Sequence, residues 1–285
     1  MALVEPKNTI EVLKDTGFSF KKSLGQNFLI DGTVLQKIID AACLTKDDYV
    51  LEIGPGIGTM TEALSASAGH VIAVELDNRL IPILRENLRD RENVTVIQGD
   101  ILKTDLRKIS EEYCDGAPLK AVSNLPYSVT TPAILKLLAE DAPILSATVM
   151  VQKEVAERMM AKPGTKAYGA LSLAVQYRAE ASVAANVPRN CFIPRPEVDS
   201  QVVHLQCFEE PPVRTEDPEL MFRLIRLSFN ERRKTLVNGL QNGKLGYPKE
   251  EIQKAVAALG KGEAVRGETL SIEEFARLAD ILHRS

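Results

Sequence analysis

The chain has 285 residues, 45% of them apolar, which allows a sizeable core and one or two domains and excludes a disordered chain. No run approaches ~18 consecutive apolar residues, so no transmembrane helix is expected. The formal charge of −4 argues against a generally basic nucleic-acid binder, although a basic face can sit on an acidic protein.

The segment from Met1 to Lys14 mixes Glu5, Lys7, Glu11 and Lys14 with apolar residues. It lacks the basic-then-apolar layout of a signal peptide, so a cytosolic protein is expected. The first ~45 residues read as a loop and one helix, with Val34, Leu35, Ile38, Ile39 and Ala42 giving a helical period over Thr33 to Ala42. Strand-like runs follow at Tyr49–Ile53, Val71–Glu75, Val94–Gln98, Lys120–Ser123 and Ala147–Val151. Helical patterns at Met60–Ser67, Leu80–Leu88 and Ala133–Leu138 lie between them. This alternation predicts a mostly parallel sheet covered on both faces, an α/β fold. Leu171–Ala179 reads as helix and Val202–Gln206 as a late strand. Glu209-Glu210-Pro211-Pro212 breaks the pattern as a linker. Beyond it, Glu219–Phe229, Arg232–Leu240, Lys249–Leu259 and Ile272–Leu282 read as helices, the last with Ser271 and Glu274 spaced as a capping box. The expected layout is one α/β domain over residues 1–208 and a small all-helical domain over 209–285.

Cys43, Cys114, Cys191 and Cys207 form no C-x-x-C, and His70, His204 and His283 are scattered, so zinc-ligand spacing is absent and no metal is expected. The chemistry lies elsewhere. Leu51-Glu52-Ile53-Gly54-Pro55-Gly56-Ile57-Gly58 closes the first strand and opens a helix. Glycines there let the backbone approach a ligand. The spacing is not that of the dinucleotide fingerprint, and alone it marks no more than a tight turn. Glu75 ends the second strand, 21 residues after Gly54, where a carboxylate can accept both hydroxyls of a ribose. Asp100 ends the third, where a carboxylate can accept from an adenine amino group. Each alone is better explained as a solvated strand end. Together, and with no P-loop lysine, they point to S-adenosylmethionine. Leu24-Gly25-Gln26-Asn27-Phe28-Leu29 reads from spacing first as a loop packed by Phe28 and Leu29, and second as a flap over the methionine end of that cofactor, with Asn27 and the Leu29 backbone in contact.

Asn124-Leu125-Pro126-Tyr127 follows the fourth strand. Ligands of open α/β sheets bind beyond the carboxyl ends of the strands. The adenine amine is a poor nucleophile because its lone pair is delocalised into the ring. Acceptors on both of its hydrogens favour a pyramidal nitrogen, and the Asn124 side-chain oxygen with the Leu125 or Pro126 carbonyl can supply them. Tyr127 can stack on the base, which contributes ~1–3 kcal/mol. The plain alternative is a strand-ending turn with a buried tyrosine. Phe192-Ile193-Pro194-Arg195-Pro196 precedes the last strand, and Phe192 is equally readable as a second stacking ring or as a core residue at a turn.

Seven segments in this order resemble the KsgA family, the small-subunit (16S) rRNA adenine dimethyltransferases. They are Lys22-Ser23-Leu24-Gly25-Gln26-Asn27-Phe28-Leu29, Glu52-Ile53-Gly54-Pro55-Gly56, Val74-Glu75-Leu76-Asp77, Gly99-Asp100, Asn124-Leu125-Pro126-Tyr127, Phe192-Ile193-Pro194-Arg195-Pro196 with Val198 and Ser200, and Arg232-Arg233-Lys234-Thr235-Leu236. The resemblance implies a Rossmann-like S-adenosylmethionine-dependent methyltransferase domain, with an N-terminal cofactor loop at about 21–31, and a helical C-terminal domain that contacts RNA or ribosome. It implies dimethylation of two adjacent adenosines in the 3′-terminal hairpin loop of small-subunit rRNA, with a role in ribosome biogenesis. Carried over, the cofactor contacts fall on Asn27, Leu29, Gly54, Glu75, Asp100 and Asn124. The catalytic clamp falls on Asn124, Pro126, Tyr127 and Phe192. The expected partner is rRNA within a pre-ribosomal 30S particle, met by a cytoplasmic monomer without DNA or membrane. Arg223, Arg226, Arg232, Arg233 and Lys234 against Glu231 give a local net charge of +4 for phosphate contact. Lys21 and Lys22, and a cluster of Lys153, Arg158, Lys162 and Lys166, are further candidates, each equally readable as a solvated face.

Overall fold

The computed structural model describes residues 3–15, 25–139 and 141–285. Lys21, Lys22, Ser23 and Leu24 lie outside the described residues. The elements in chain order are α1 (Pro6–Asp15), β1 (Phe28–Leu29), α2 (Gly32–Ala42), β2 (Tyr49–Ile53), α3 (Thr59–Ser67), β3 (His70–Glu75), α4 (Ile81–Asn87), β4 (Val94–Gln98), α5 (Leu106–Tyr113), β5 (Leu119–Asn124), α6 (Thr130–Leu137), β6 (Ile144–Gln152), α7 (Lys153–Met159), α8 (Ala170–Arg178), β7 (Ala179–Val187), β8 (Phe192–Ile193), β9 (Ser200–Cys207), α9 (Pro218–Asn230), α10 (Leu236–Asn242), α11 (Lys249–Ala258) and α12 (Ile272–His283).

The chain divides into two units. The first takes Met1–Ala156 and Glu180–Cys207, the second Glu157–Ala179 and Phe208–Ser285. In the first, seven strands form a sheet in the order β4-β3-β2-β5-β6-β9-β7. β2 pairs in parallel with β3 and β5, and β3–β4 and β5–β6 are parallel too, while β9 runs antiparallel to β6. The central strands are continuous apolar runs because helices cover both faces. Val50, Leu51, Val71, Ile72, Ala121 and Val122 are all fully buried. At ~1.5–3 kcal/mol per large buried side chain, this layer holds the strand ends in fixed register. α2 begins where Asp31 accepts from the backbone N–H of Thr33 (2.9 Å) and Val34 (3.1 Å), a side-chain cap for orphan donors.

The second unit packs helices around Leu224, Leu240, Ile252 and Phe275, and it recruits Tyr168, Leu173 and Tyr177 from the earlier segment. The Tyr168 hydroxyl donates to the Leu270 carbonyl (2.8 Å), and its ring meets Phe229 edge-on. This packing draws α8 into the helical unit, whereas the expected cut fell once, after residue 208. The capping box at Ser271 and Glu274 is present, with bonds of 3.3 and 3.0 Å.

Several elements differ from expectation. α1 is a second helix within the first 45 residues. α5 has only Leu106, Ile109 and Ser110 buried, too thin a stripe to read as a period. β7 borders the sheet and is mostly exposed, so it carries no apolar alternation. The helix expected from Arg232 begins only at Leu236. Arg232 instead closes a turn: its Nε donates to Glu268 (2.5 Å) and its two terminal nitrogens to the carbonyls of Lys166 (2.8 Å) and Thr165 (3.0 Å).

Candidate active site

One cavity of about 310 Å³ opens at the carboxyl ends of the parallel strands. It is lined by Asn27, Leu29, Gly54, Glu75, Asp100, Asn124, Pro126 and Tyr127, which are all the predicted site residues but one. The strand order sets them out in series, with Asp100 after β4, Glu75 on β3, Gly54 after β2 and Asn124 on β5. Neighbouring strands lie ~4.8 Å apart, so this edge spans ~14 Å.

The glycine loop needs its glycines. Gly54 and Gly56 have φ of +67° and +63°, a region that L side chains rarely adopt. A Cβ on Gly56 would meet the Phe28 ring at 2.6 Å, and one on Gly54 would meet Pro126 at 3.0 Å. The loop therefore runs tight between the residue-25–29 segment and the Asn124–Tyr127 turn. Its backbone is fixed by Glu75, whose Oε2 accepts from Gly56 N–H (3.1 Å) and whose Oε1 accepts from Asp77 N–H (2.8 Å). Burial pushes the Glu75 carboxyl above the usual range, and those two N–H groups pull against it. Glu52 is also buried, and burial raises its carboxyl to about 8, with the Glu75 charge adding to the rise. Thr61 lies close enough to oppose that shift. Neither Glu52 Oε2 nor Thr61 Oγ1 has a hydrogen-bond partner among the described residues.

Asp77 was not singled out as a site residue in the sequence, although it stands two places after Glu75. It is 3% exposed, and the Arg79 guanidinium beside it holds its carboxyl down at about 2. Gln26 Nε2 donates to its Oδ2 (3.0 Å), which ties the loop segment ahead of Phe28 to the end of β3. Asp100 Oδ1 accepts from Leu102 N–H (3.0 Å).

At the other end of the edge, Asn124 Nδ2 donates to the Asn27 carbonyl (2.9 Å). A carbonyl can only accept, so the amide is oriented by chemistry and Oδ1 is the atom left to accept from a ligand. The Pro126 carbonyl is already engaged by Val129 N–H and Thr130 Oγ1, both at 3.0 Å. Of the two backbone acceptors expected beside Asn124, Leu125 is therefore the one with capacity to spare. The Tyr127 hydroxyl lies 2.8 Å from Ser200 Oγ.

Phe192 stands apart. It is 2% exposed, does not line the cavity, and packs in the core with Leu29, Val34, Met150 and Val202. The core reading that the sequence left open is the arrangement seen. Phe192 pairs with Leu29 across β1 and β8, so it fastens the cavity-lining loop from behind.

In the helical unit the basic run is thinner than its count. Arg232 is occupied as described, and Arg223 donates to the Lys244 carbonyl (3.0 Å). Arg226, Arg233 and Lys234 are exposed, as are Lys162 and Lys166. No helix among the described residues is long and apolar enough to cross a membrane.

Comparison with known proteins adds three findings. Residues 17–284 match the family model described as ribosomal RNA adenine dimethylase. The chain is 55% identical to ribosomal RNA small subunit methyltransferase A of Lachnoclostridium phytofermentans, covering 98% of this chain and 97% of that protein. It is 51% identical to the protein of the same name from Geobacillus thermodenitrificans, at the same coverage. Among solved structures, a dimethyladenosine transferase from Plasmodium falciparum aligns with a TM-score of 0.71 at 28% identity, covering 88% of this chain and 95% of that one. The 23S rRNA methyltransferase ErmE aligns with a TM-score of 0.65, also at 28% identity, covering 90% and 99%.

Proposed function

The chain belongs to the ribosomal RNA adenine dimethylase family, and from that premise we propose how its strand edge performs the reaction. The protein is an S-adenosylmethionine-dependent methyltransferase of small-subunit rRNA adenine. When bound, the cofactor supplies an electrophilic methyl group on a sulfonium. The residues present suit it: a glycine loop with no room for side chains, a buried carboxylate for ribose hydroxyls, a second carboxylate for the adenine amine, and an orphan carboxyl oxygen on Glu52. Asn27, Leu29, Gly54, Glu75, Asp100 and Asn124 are the residues that would hold it.

Asn124 and Leu125 handle the target. Asn124 Oδ1 and the Leu125 carbonyl accept the two amine hydrogens, which turns the nitrogen lone pair out of conjugation and toward the donor side. Tyr127 stacks on the base and Pro126 packs beside it. Holding both partners in near-attack geometry contributes ~7–11 kcal/mol. No general base is needed, because the methylated nitrogen is acidic and solvent accepts its proton. An adenine in a stacked loop must first flip out, at a few kcal/mol. The observation that carries this reading is the Asn124 amide, locked by the Asn27 carbonyl with its oxygen free, in the same cavity as Glu75.

Two adjacent adenosines of the 3′-terminal hairpin are the targets we assign, within a pre-ribosomal 30S particle in the cytoplasm, reached by a monomer. Arg226, Arg233 and Lys234 of the helical unit are the phosphate contacts we assign. The rival reading, methylation of the large subunit as named for ErmE, is weaker, because the 55% relative is named for the small subunit. Mapping dimethyladenosine in rRNA from cells lacking the protein decides between them. Loss from the small subunit is expected, and loss from the large subunit alone would overturn the assignment.

A further inference from the structure

The tyrosine of the Asn124–Tyr127 turn has an anchor that the scheme above does not use. Its hydroxyl lies 2.8 Å from Ser200 Oγ. Ser200 is 1% exposed and opens β9, opposite Gln152 at the end of β6. The strands run β5-β6-β9, so Ser200 stands two strands from β5, or ~10 Å away. The Tyr127 side chain therefore reaches from the turn after β5 across the end of β6 to the antiparallel strand. The anchor is itself held. The Asp199 carbonyl accepts from Lys153 N–H (3.0 Å), and Asp199 Oδ1 accepts from Arg189 N–H (2.9 Å).

A tyrosine fixed only at Cβ turns about two torsions, the second of them broad. A tether at the phenol oxygen fixes the first torsion and the long axis of the ring; that oxygen lies on the axis of the second torsion, so the ring plane is biased only by the preference of a phenol for hydrogen bonds in its own plane. Stacking is productive only when ring and base lie face to face in parallel planes, and a small misplacement of the amine loses rate. We propose that Ser200 is a positioning residue for methyl transfer, holding the Tyr127 ring in the place and along the axis on which the target adenine stacks; this rests on the stacking role assigned to Tyr127 above. The base then lies over the β5-β6-β9 half of the edge and the donor over the β4-β3-β2 half, and the two meet at Asn124.

The test is a double-mutant cycle on Ser200→Ala and Tyr127→Phe, read by single-turnover methyl transfer to undermethylated small subunits. Tyr127→Phe keeps the ring and removes only its oxygen, so one arm of the cycle does not threaten the fold. Each single variant is expected to lose about tenfold in rate, the scale of one hydrogen bond. The double variant should lose no more than either, and cofactor Kd should be unchanged throughout. Ser200→Thr, which keeps a hydroxyl, should recover most of the rate. A folded single variant at the wild-type rate, losses that multiply in the double variant, or a threonine no better than alanine would overturn the inference. A wild-type chain that transfers no methyl group to small subunits would overturn the function reading and this inference with it, an outcome distinct from those three.

Discussion

The two halves of the strand edge are built from different materials. The donor half, over β4, β3 and β2, is backbone and buried carboxylate: Gly54 and Gly56 at positive φ, Glu75 holding two N–H groups, and Glu52 with an orphan oxygen. The acceptor half, after β5, is neutral: an amide, a proline, and a phenol tied to a serine. The cationic donor proposed for the donor half would account for the difference. Carboxylates beside a sulfonium and an ammonium gain on binding, whereas a negative charge next to the adenine amine would only hold a proton that the reaction does not need. Burial raises both carboxyls, Glu52 and Glu75, above their usual range, so the fold favours their protonated forms.

Breaking the acceptor half should therefore lower turnover without touching cofactor affinity. Asn124→Ala is expected to reduce kcat by several hundredfold, the scale of losing a preorganised transition-state contact, while the variant stays folded by circular dichroism. Breaking the donor half should do the reverse. Glu75→Ala is expected to weaken cofactor Kd on the order of thirtyfold, as for lost hydrogen bonds to a charged group, read by calorimetry. An unchanged Kd would remove Glu75 from the cofactor site.

The buried carboxyl sharpens the contrast through pH. Glu52 sits above its ordinary value of 4.5, at about 8 in the fold. The protonated form belongs to the folded state, so its stability is full below pH 4.5 and is lost as pH rises through 8. Wild type should lose on the order of 1 kcal/mol per pH unit between pH 6 and pH 7 relative to Glu52→Gln, measured by urea denaturation without cofactor. Parallel curves for the two proteins would show that Glu52 does not titrate there. The smallest effect expected on chemistry comes from outside both halves. Replacing Arg226, Arg233 and Lys234 by Ala should leave single-turnover kcat intact and raise KM for small subunits, with the salt slope falling by about one per lost phosphate contact. An unchanged slope would acquit these residues.

The parallel core was legible in sequence because its strands are buried on both faces, and the bounds of β2 and β4 match expectation to the residue. Edge and short elements were not, since β7 and α5 bury too few side chains to impose a period. Glycines and carboxylates at strand ends are local signals, so Gly54, Glu75, Asp100 and Asn124, which line one cavity, stand out in the sequence. The Tyr127–Ser200 bond joins residues 73 apart, and the Gln26–Asp77 bond residues 51 apart. No local pattern encodes such pairs. Phe192 stays open in sequence, because an aromatic beside two prolines reads equally as ligand or core, and its packing with Leu29 and Val34 is a tertiary fact that no local pattern encodes. Arg232 likewise counts as surface charge in sequence and as a turn clamp in the fold.

The central claim is that this edge brings a methyl donor to an adenine amine of small-subunit RNA. Transfer of labelled methyl from S-adenosylmethionine tests it most directly, offered in parallel to undermethylated small subunits, large subunits and free adenosine. Label is expected in the small subunit alone, recovered as N6,N6-dimethyladenosine. Label in the large subunit or in free adenosine, or none in the small subunit, would contradict it.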